Sequence, residues 1–356
     1  MIQEITVEGL VQLSNPIFID VRSESEFAEA TIPGAISVPI FSDVERAELG
    51  TVFKNISPLV AKDLGLSLAA PKLPEIVKHC RELSEQGPLV FFCWRGGMRS
   101  KAVASILDLM GIRVYRLIGG YKAYRRSIVD FWEQVPFPYG VVVLRGNTGV
   151  GKTKLIEKLQ LSGRPAIDLE RLANNRGSVF GSVGLGTAPS QKSFEANLTE
   201  QIKAFGSVNW IVVECESKRI GRVTLPNSLH QAMENGKQVL TYDSIENRVR
   251  RLVEEYTTSF NSGPELEAAL NRLVKRLGHQ RVTHLQDLLE GEDYASFASV
   301  LLEEYYDPLY GYPNEPRQEY HLNVDMGDEA GALQQIEDYL DSLEAEHTGE
   351  TTLSRV

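Results

Sequence analysis

The feature that most constrains this chain is the octapeptide Gly146-Asn-Thr-Gly-Val-Gly-Lys-Thr153, set between the apolar run Gly140-Val-Val-Val-Leu144 and the helical pattern Lys154-Leu-Ile-Glu-Lys-Leu159. It satisfies G-x-x-x-x-G-K-[ST] in full, in the strand, loop, helix context that gives the pattern its meaning. A buried strand that turns at once into a helix through glycines brings successive N–H groups to one point, and the helix dipole adds positive potential there. The cradle residues are Gly146, Thr148, Gly149, Val150, Gly151, Lys152 and Thr153. Lys152 supplies charge to the terminal phosphates, and the Thr153 hydroxyl is placed for Mg²⁺. Glu214, closing the apolar run Trp210-Ile-Val-Val213, is the candidate acid beside the metal, with Glu216 competing. Asp168 reads equally well as a helix N-cap. A P-loop fixes only that phosphates are bound, so ATP, GTP and the diphosphate of a prenyl donor all remain open.

A second anion cradle is written upstream. Cys93-Trp-Arg-Gly-Gly-Met-Arg-Ser100 follows the apolar strand Leu89-Val-Phe-Phe92 and precedes the helical pattern Lys101-Ala-Val-Ala-Ser-Ile-Leu. A thiol at a loop closing onto a helix N-terminus is stabilised as thiolate by the converging amides and the dipole. Gly96 and Gly97 let the backbone turn, and Arg95 or Arg99 can fork onto an oxyanion. Cys80 instead shares an apolar helix face with Leu73, Ile76, Val77 and Leu83 and reads as core. With only Cys80, Cys93 and Cys215 present, neither a disulfide framework nor a cysteine zinc site is indicated.

Two α/β units follow from the strand and helix patterns. Ile17-Phe-Ile-Asp-Val21 and Leu89–Phe92 are buried-strand runs, and Pro136-Phe-Pro138 marks a boundary. The predicted domains are 1–135, 136–324 with a helical extension over 245–306, and 325–356 as an acidic helix and tail, in which Leu333, Ile336, Leu340 and Leu343 keep helical spacing. The net charge of −11 is concentrated at the end: residues 301–356 carry 2 Lys+Arg against 14 Asp+Glu, a balance of −12, which leaves +1 over residues 1–300. A near-neutral body can still present basic faces to nucleic acid. Arg272, Lys275 and Arg276, with His279, fall on one predicted helical face, and Arg248, Arg250 and Arg251 form a second cluster. No stretch reaches the roughly 18 apolar residues of a spanning helix and no leader pattern opens the chain, so the expectation is a cytoplasmic protein without membrane partners.

The first 132 residues resemble the rhodanese superfamily. Ile19-Asp-Val-Arg-Ser23, Glu26-Phe27, Ile32-Pro-Gly-Ala-Ile36 and Gly119-Gly-Tyr121 occur in the order of such a domain. Common single-domain rhodaneses place the loop arginine five positions after the cysteine, whereas Arg99 stands six after Cys93. The longer ring also resembles the C-x5-R loop of phosphatases that share this fold, and it suits a tetrahedral anion.

Joined to a P-loop domain, the chain resembles the tRNA 2-selenouridine synthase family. Ser42-Asp-Val-Glu-Arg46, Asp168-Leu-Glu170, Arg176-Gly-Ser178, Gln191-Lys-Ser-Phe-Glu195, Glu216-Ser217 and Tyr305-Tyr-Asp-Pro-Leu-Tyr310 support this likeness to about residue 312. Asn175 stands where that family commonly has histidine, and Cys215 where it commonly has an acid. The resemblance implies exchange of the sulfur of wobble 2-thiouridine in tRNA for selenium, selenophosphate as donor, and S-geranylation of the base from geranyl diphosphate. It implies further that Cys93 carries selenium as a persulfide-like adduct, that Arg95 and Arg99 hold the phosphate part of selenophosphate, that the P-loop holds the prenyl diphosphate, and that a selenophosphate-supplying enzyme is a partner. Trp94 is a candidate to stack on the uridine. Two rivals stand beside this: a small-molecule sulfurtransferase or phosphatase with a regulatory P-loop domain, active without RNA, and a phosphotransferase whose first domain only binds partners.

Overall fold

In the computed structural model, residues 2–178, 180–257 and 263–353 are described. Two compact units emerge, one running to Phe131 and taking in Glu195–Asn197, the other running from Trp132.

The first unit alternates strands and helices: β1 Gln3–Ile5, β2 Ile17–Asp20, α1 Glu24–Glu29, β3 Ile36–Ser37, α2 Asp43–Asn55, α3 Pro58–Ala69, α4 Leu73–Ser84, β4 Leu89–Phe92, α5 Met98–Leu109, β5 Val114–Leu117 and α6 Gly120–Trp132. Its five strands pair in parallel in the order β1-β5-β4-β2-β3. The continuous apolar run of β4 fits a strand covered on both faces, and all four of its residues are buried. Cys80 lies in this core with Ile76 and Leu83, as its helical spacing predicts.

The second unit comprises β6 Gly140–Arg145, α7 Lys152–Leu161, β7 Ala166–Ile167, α8 Leu169–Ala173, α9 Gln191–Ala204, β8 Trp210–Glu214, β9 Arg219–Ile220, β10 Val223–Thr224, α10 Asn227–Asn235, β11 Lys237–Tyr242, α11 Ile245–Thr257, α12 Gly263–Leu277, α13 His279–Glu290, α14 Tyr294–Leu301, α15 Asp307–Tyr310, β12 Leu322–Asp325 and α16 Glu329–Leu353. A parallel sheet in the order β12-β11-β6-β8-β7 places the phosphate loop at the carboxyl end of its central strand. Helices α11 to α14 build a core of their own around Leu270, Leu273, Val282, Leu285, Phe297 and Leu301. A π-helical turn at Leu302–Tyr306 joins α14 to α15.

Two sequence expectations change here. The segment expected as a separate helix and tail over 325–356 does not stand apart over its described residues, 325–353: β12 pairs with β11 through Asp325, and Ile336, Leu340 and Leu343 of α16 are buried in the main core. On the outer face of α16, Glu329 meets Lys158 and Asp341 meets Arg164 at 2.6 Å each. His279 does not continue the face of Arg272, because Gly278, at φ 82°, breaks the helix between them. Among the described residues no helix is long and apolar enough to cross a membrane.

Candidate functional site

In the first unit the end of β4 delivers Cys93, only 3% exposed, to a loop that closes onto α5. The Gly97 amide donates to its Sγ at 3.2 Å, and the Ser100 hydroxyl lies 3.3 Å away. Glycine is required on both sides of this ring. A Cβ at Gly96, where φ is +61°, would sit 2.5 Å from the Leu117 carbonyl, and one at Gly120 would sit 2.1 Å from the Cys93 carbonyl. The Tyr121 and Lys122 amides donate to the Cys93 and Trp94 carbonyls at 2.9 Å, so the Gly119-Gly120 turn clamps the thiol loop.

Arg99 is placed by a residue the sequence reading left without a role. Glu26 receives its guanidinium in a fork, Nη1 to Oε2 at 2.5 Å and Nη2 to Oε1 at 3.2 Å. Burial opposes ionisation of Glu26, but Arg99 prevails and holds the carboxyl below its ordinary range. Arg95 and Trp94 are exposed on the loop, with the Trp94 ring 5.7 Å from that of Tyr121. The Asp-Val-Arg signature is structural: buried Arg22 bonds Asp20 at 2.6 Å and lies over the Tyr121 ring at 4.3 Å. Burial pushes the Cys80 thiol up to about 11, which makes it the inert sulfur of this unit.

The second unit holds a cavity of about 830 Å³ around the phosphate loop. Gly146, Gly149 and Gly151 take positive φ, and a Cβ at Gly146 would meet the Thr241 carbonyl at 2.3 Å. Lys152 Nζ donates to the Gly146 carbonyl at 2.8 Å and lines the cavity with Thr148 and Thr153. Opposite stand carboxylates from two strand ends. Asp168 caps α8, accepting from the Arg171 amide at 2.7 Å. Glu214, 1% exposed, accepts from the Glu170 amide at 3.0 Å through Oε1, while its Oε2 is buried without a hydrogen-bond partner. Thr153 Oγ1 lies 3.5 Å from Glu170 Oε2. Burial and mutual repulsion push Glu170 and Glu214 well above the carboxylate range, and Glu216 up to about 7. No group of three or more His, Cys, Asp or Glu among the described residues is arranged to hold a metal ion. The orphaned Glu214 oxygen and the Thr153 hydroxyl are nonetheless oxygen donors of the kind Mg²⁺ takes when phosphate and water complete its shell.

The Arg-Gly-Ser segment covers these acids. A Cβ on Gly177, at φ +67°, would come within 2.3 Å of Glu170 Oε1 and 2.8 Å of Glu216 Oε1, and Asn175 Oδ1 accepts from the Gly177 amide at 3.0 Å. Cys215 also lines the cavity, with Arg145 Nη1 at 2.7 Å and the Tyr312 hydroxyl at 3.1 Å. Burial, then the neighbouring Cys215, pushes that phenol up to about 12. Tyr310 and Tyr312 form a wall of near-parallel rings, 12° apart in plane.

Arg248 and Arg251 are not a surface cluster. Arg248, fully buried, donates through Nε to the Thr148 carbonyl at 2.9 Å and grips Asp307 with both Nη groups. Arg251 bonds the Val150 carbonyl at 3.2 Å and pairs with Asp243 at 2.6 Å. They brace the phosphate loop from behind, which local sequence cannot reveal because their partners lie far along the chain. Arg272, Lys275 and Arg276 are exposed on α12 and lie outside the cavity lining.

Comparison with known proteins bears on both units. Residues 139–344 match the family model described as tRNA 2-selenouridine synthase AAA domain, and residues 6–127 match the rhodanese-like domain. The tRNA 2-selenouridine synthase of Pseudomonas syringae pv. syringae is 34% identical over 333 residues, covering 85% of this chain and 90% of that protein. That of Hydrogenovibrio crunogenus is 33% identical over 358 residues, covering 93% of this chain and 96% of its own.

Proposed function

The chain belongs to the tRNA 2-selenouridine synthase family, and on that premise we propose that it replaces the sulfur of wobble 2-thiouridine by selenium from selenophosphate, through an S-geranylated base made from geranyl diphosphate. The observation that carries this reading is the presence of two anion cradles of different chemistry, a thiol that accepts from the Gly97 amide at a helix N-terminus and a lysine-bearing phosphate loop. Two successive substitutions ask for such a pair. In the first, the thiocarbonyl sulfur bonds to C1 of the geranyl group, the C–O bond breaks, diphosphate leaves, and the base loses its N3 proton. In the second, selenium bonds to C2 of the base and the C–S bond breaks, releasing geranyl thiol.

The phosphate loop suits the first step. Its amides and Lys152 bind the diphosphate and stabilise it as it leaves. Thr153 and Glu214 would hold Mg²⁺, which would neutralise charge on the departing diphosphate. Tyr310 and Tyr312 offer flat faces to the base. The Cys93 loop suits selenophosphate, with Arg95 exposed on the loop and Arg99 held ready by Glu26. Exposed Arg272, Lys275 and Arg276 supply contacts to tRNA phosphates, and a selenophosphate-supplying enzyme feeds the first unit.

Nucleoside analysis of tRNA from cells carrying single variants tests the division of labour. Lys152→Ala should leave 2-thiouridine unconverted. Cys93→Ser should accumulate S-geranyl-2-thiouridine without selenouridine. Identical nucleoside profiles for the two variants would refute the assignment of one step to each cradle.

A further inference from the structure

Exchange of a geranyl thiol for selenium moves no electrons to any third party, so selenium must reach the base as selenide. In selenophosphate it is already at that level, bonded to pentavalent phosphorus. A Cys93 thiolate attacking selenium, as the persulfide-like adduct expects, would form a selenenyl sulfide and expel phosphorus two electrons richer, as phosphite. Recovery of selenide and phosphate would then need both a reductant and an oxidant. Attack at phosphorus needs neither.

We propose that the Cys93 loop is a phosphoryl-transfer site, in which the thiolate attacks the phosphorus of selenophosphate and selenide leaves; the identity of the donor rests on the function proposed above. The S–P bond forms from the thiolate lone pair, and the P–Se pair departs on selenium, which goes on to C2 of the geranylated base. Selenide is a weak base and leaves without an acid. Water then attacks phosphorus, the S–P pair returns to Cys93, and phosphate departs with the proton.

The geometry of the loop fits this chemistry. Arg99 stands six positions after Cys93, so five residues of loop lie between the thiol and the guanidinium-bearing residue. The Gly97 amide, 3.2 Å from Sγ, stands at the start of the twelve-residue helix α5, whose N-terminal amides and dipole favour an anion beside the thiol. Glu26 fixes both Nη groups of Arg99 at one edge of the ring. Ser100 carries the second half of the argument. Its hydroxyl, 3.3 Å from Sγ and 3.3 Å from the Gly97 carbonyl, can turn its proton toward sulfur and stabilise the thiolate as the leaving group when water attacks the cysteinyl phosphate. A sulfur that only passes selenium to an acceptor has less use for such a donor.

The test uses the full chain without RNA. With selenophosphate labelled at phosphorus and a rapid quench, peptide mass spectrometry should find a phosphoryl group on Cys93, and a selenide-trapping alkylator should capture selenide in step with it. Ser100→Ala should slow loss of that phosphoryl group about 10- to 150-fold, the worth of a hydrogen bond to a charged group, and so raise its steady-state level. Selenium on Cys93 with no phosphorus label would overturn the proposal. A parallel assay with p-nitrophenyl phosphate separates this step from the donor assignment. Cys93-dependent phenolate release with no adduct from selenophosphate would uphold phosphoryl transfer and sink selenophosphate as donor. Absence of reaction with both compounds would overturn the proposal itself.

Discussion

The brace behind the phosphate loop predicts an inverted ranking of two substitutions. Arg248 is fully buried, whereas the Asp307 side chain it grips is 24% exposed. Asp307→Ala leaves a guanidinium in the interior with only the Thr148 carbonyl and, at 3.3 Å, Asn314 for partners. Loss of one member of a buried pair costs roughly 3–5 kcal/mol, which the partial exposure of Asp307 lowers to about 2–4 kcal/mol. Arg248→Met removes the buried charge and lets Asp307 hydrate, so its cost is mainly the bond to Thr148 and the lost packing, about 1–2 kcal/mol. The smaller truncation should therefore be the more damaging one. Urea unfolding of the full chain, followed in the transition of the second unit, measures both. The double variant should resemble Arg248→Met alone, because the charge that made Asp307→Ala costly is gone. Affinity for geranyl diphosphate, the ligand proposed above for this loop, should still fall about tenfold in Arg248→Met, since the Thr148 carbonyl loses its anchor. Additive costs in the double variant, or a larger cost for Arg248→Met, would refute the view that Asp307 serves to satisfy a buried cation.

The acids facing the loop predict a pH dependence. With Glu216 raised from 4.5 to about 7, the folded state holds its proton more tightly than the unfolded, so the stability it contributes is whole below pH 4.5 and is lost as pH rises through about 7. Unfolding titrations at pH 5 and pH 8 should show the second unit weakening, less so in Glu216→Gln. Removal of residues 325–356 should unfold the second unit rather than improve RNA binding, because it strips Ile336, Leu340 and Leu343 from the core; limited proteolysis and circular dichroism would report this. Charge reversal at Arg272, Lys275 and Arg276 should weaken tRNA binding, each lost phosphate contact taking roughly 0.7 to 0.9 from the logarithmic salt slope. An unchanged slope in binding titrations would move the RNA surface elsewhere.

What the sequence disclosed and what it hid divide along a physical line. Both cradles were legible because each is a single strand, turn and helix, and the backbone paths at Gly96 and Gly146 exclude any side chain. The pairings that hold those cradles in working order were not legible. Arg248 reaches an acid 59 positions away, and Arg99 one 73 positions away, and each pair looks in sequence like separate solvated charges. Charge counting misled most in α16, where the acids draw the eye while four buried apolar residues, Ala332, Ile336, Leu340 and Leu343, decide where the helix lies. The same distinction explains Gly177. Its φ of +67°, in a turn closed by the bond from its amide to Asn175, is a local demand for glycine, but the closest pressure on it comes from two carboxylates on other elements, which its neighbours in sequence do not disclose. Its α-hydrogen is all that fits between the loop and those acids, so Gly177→Ala must displace either the covering segment or the carboxylates that face Lys152.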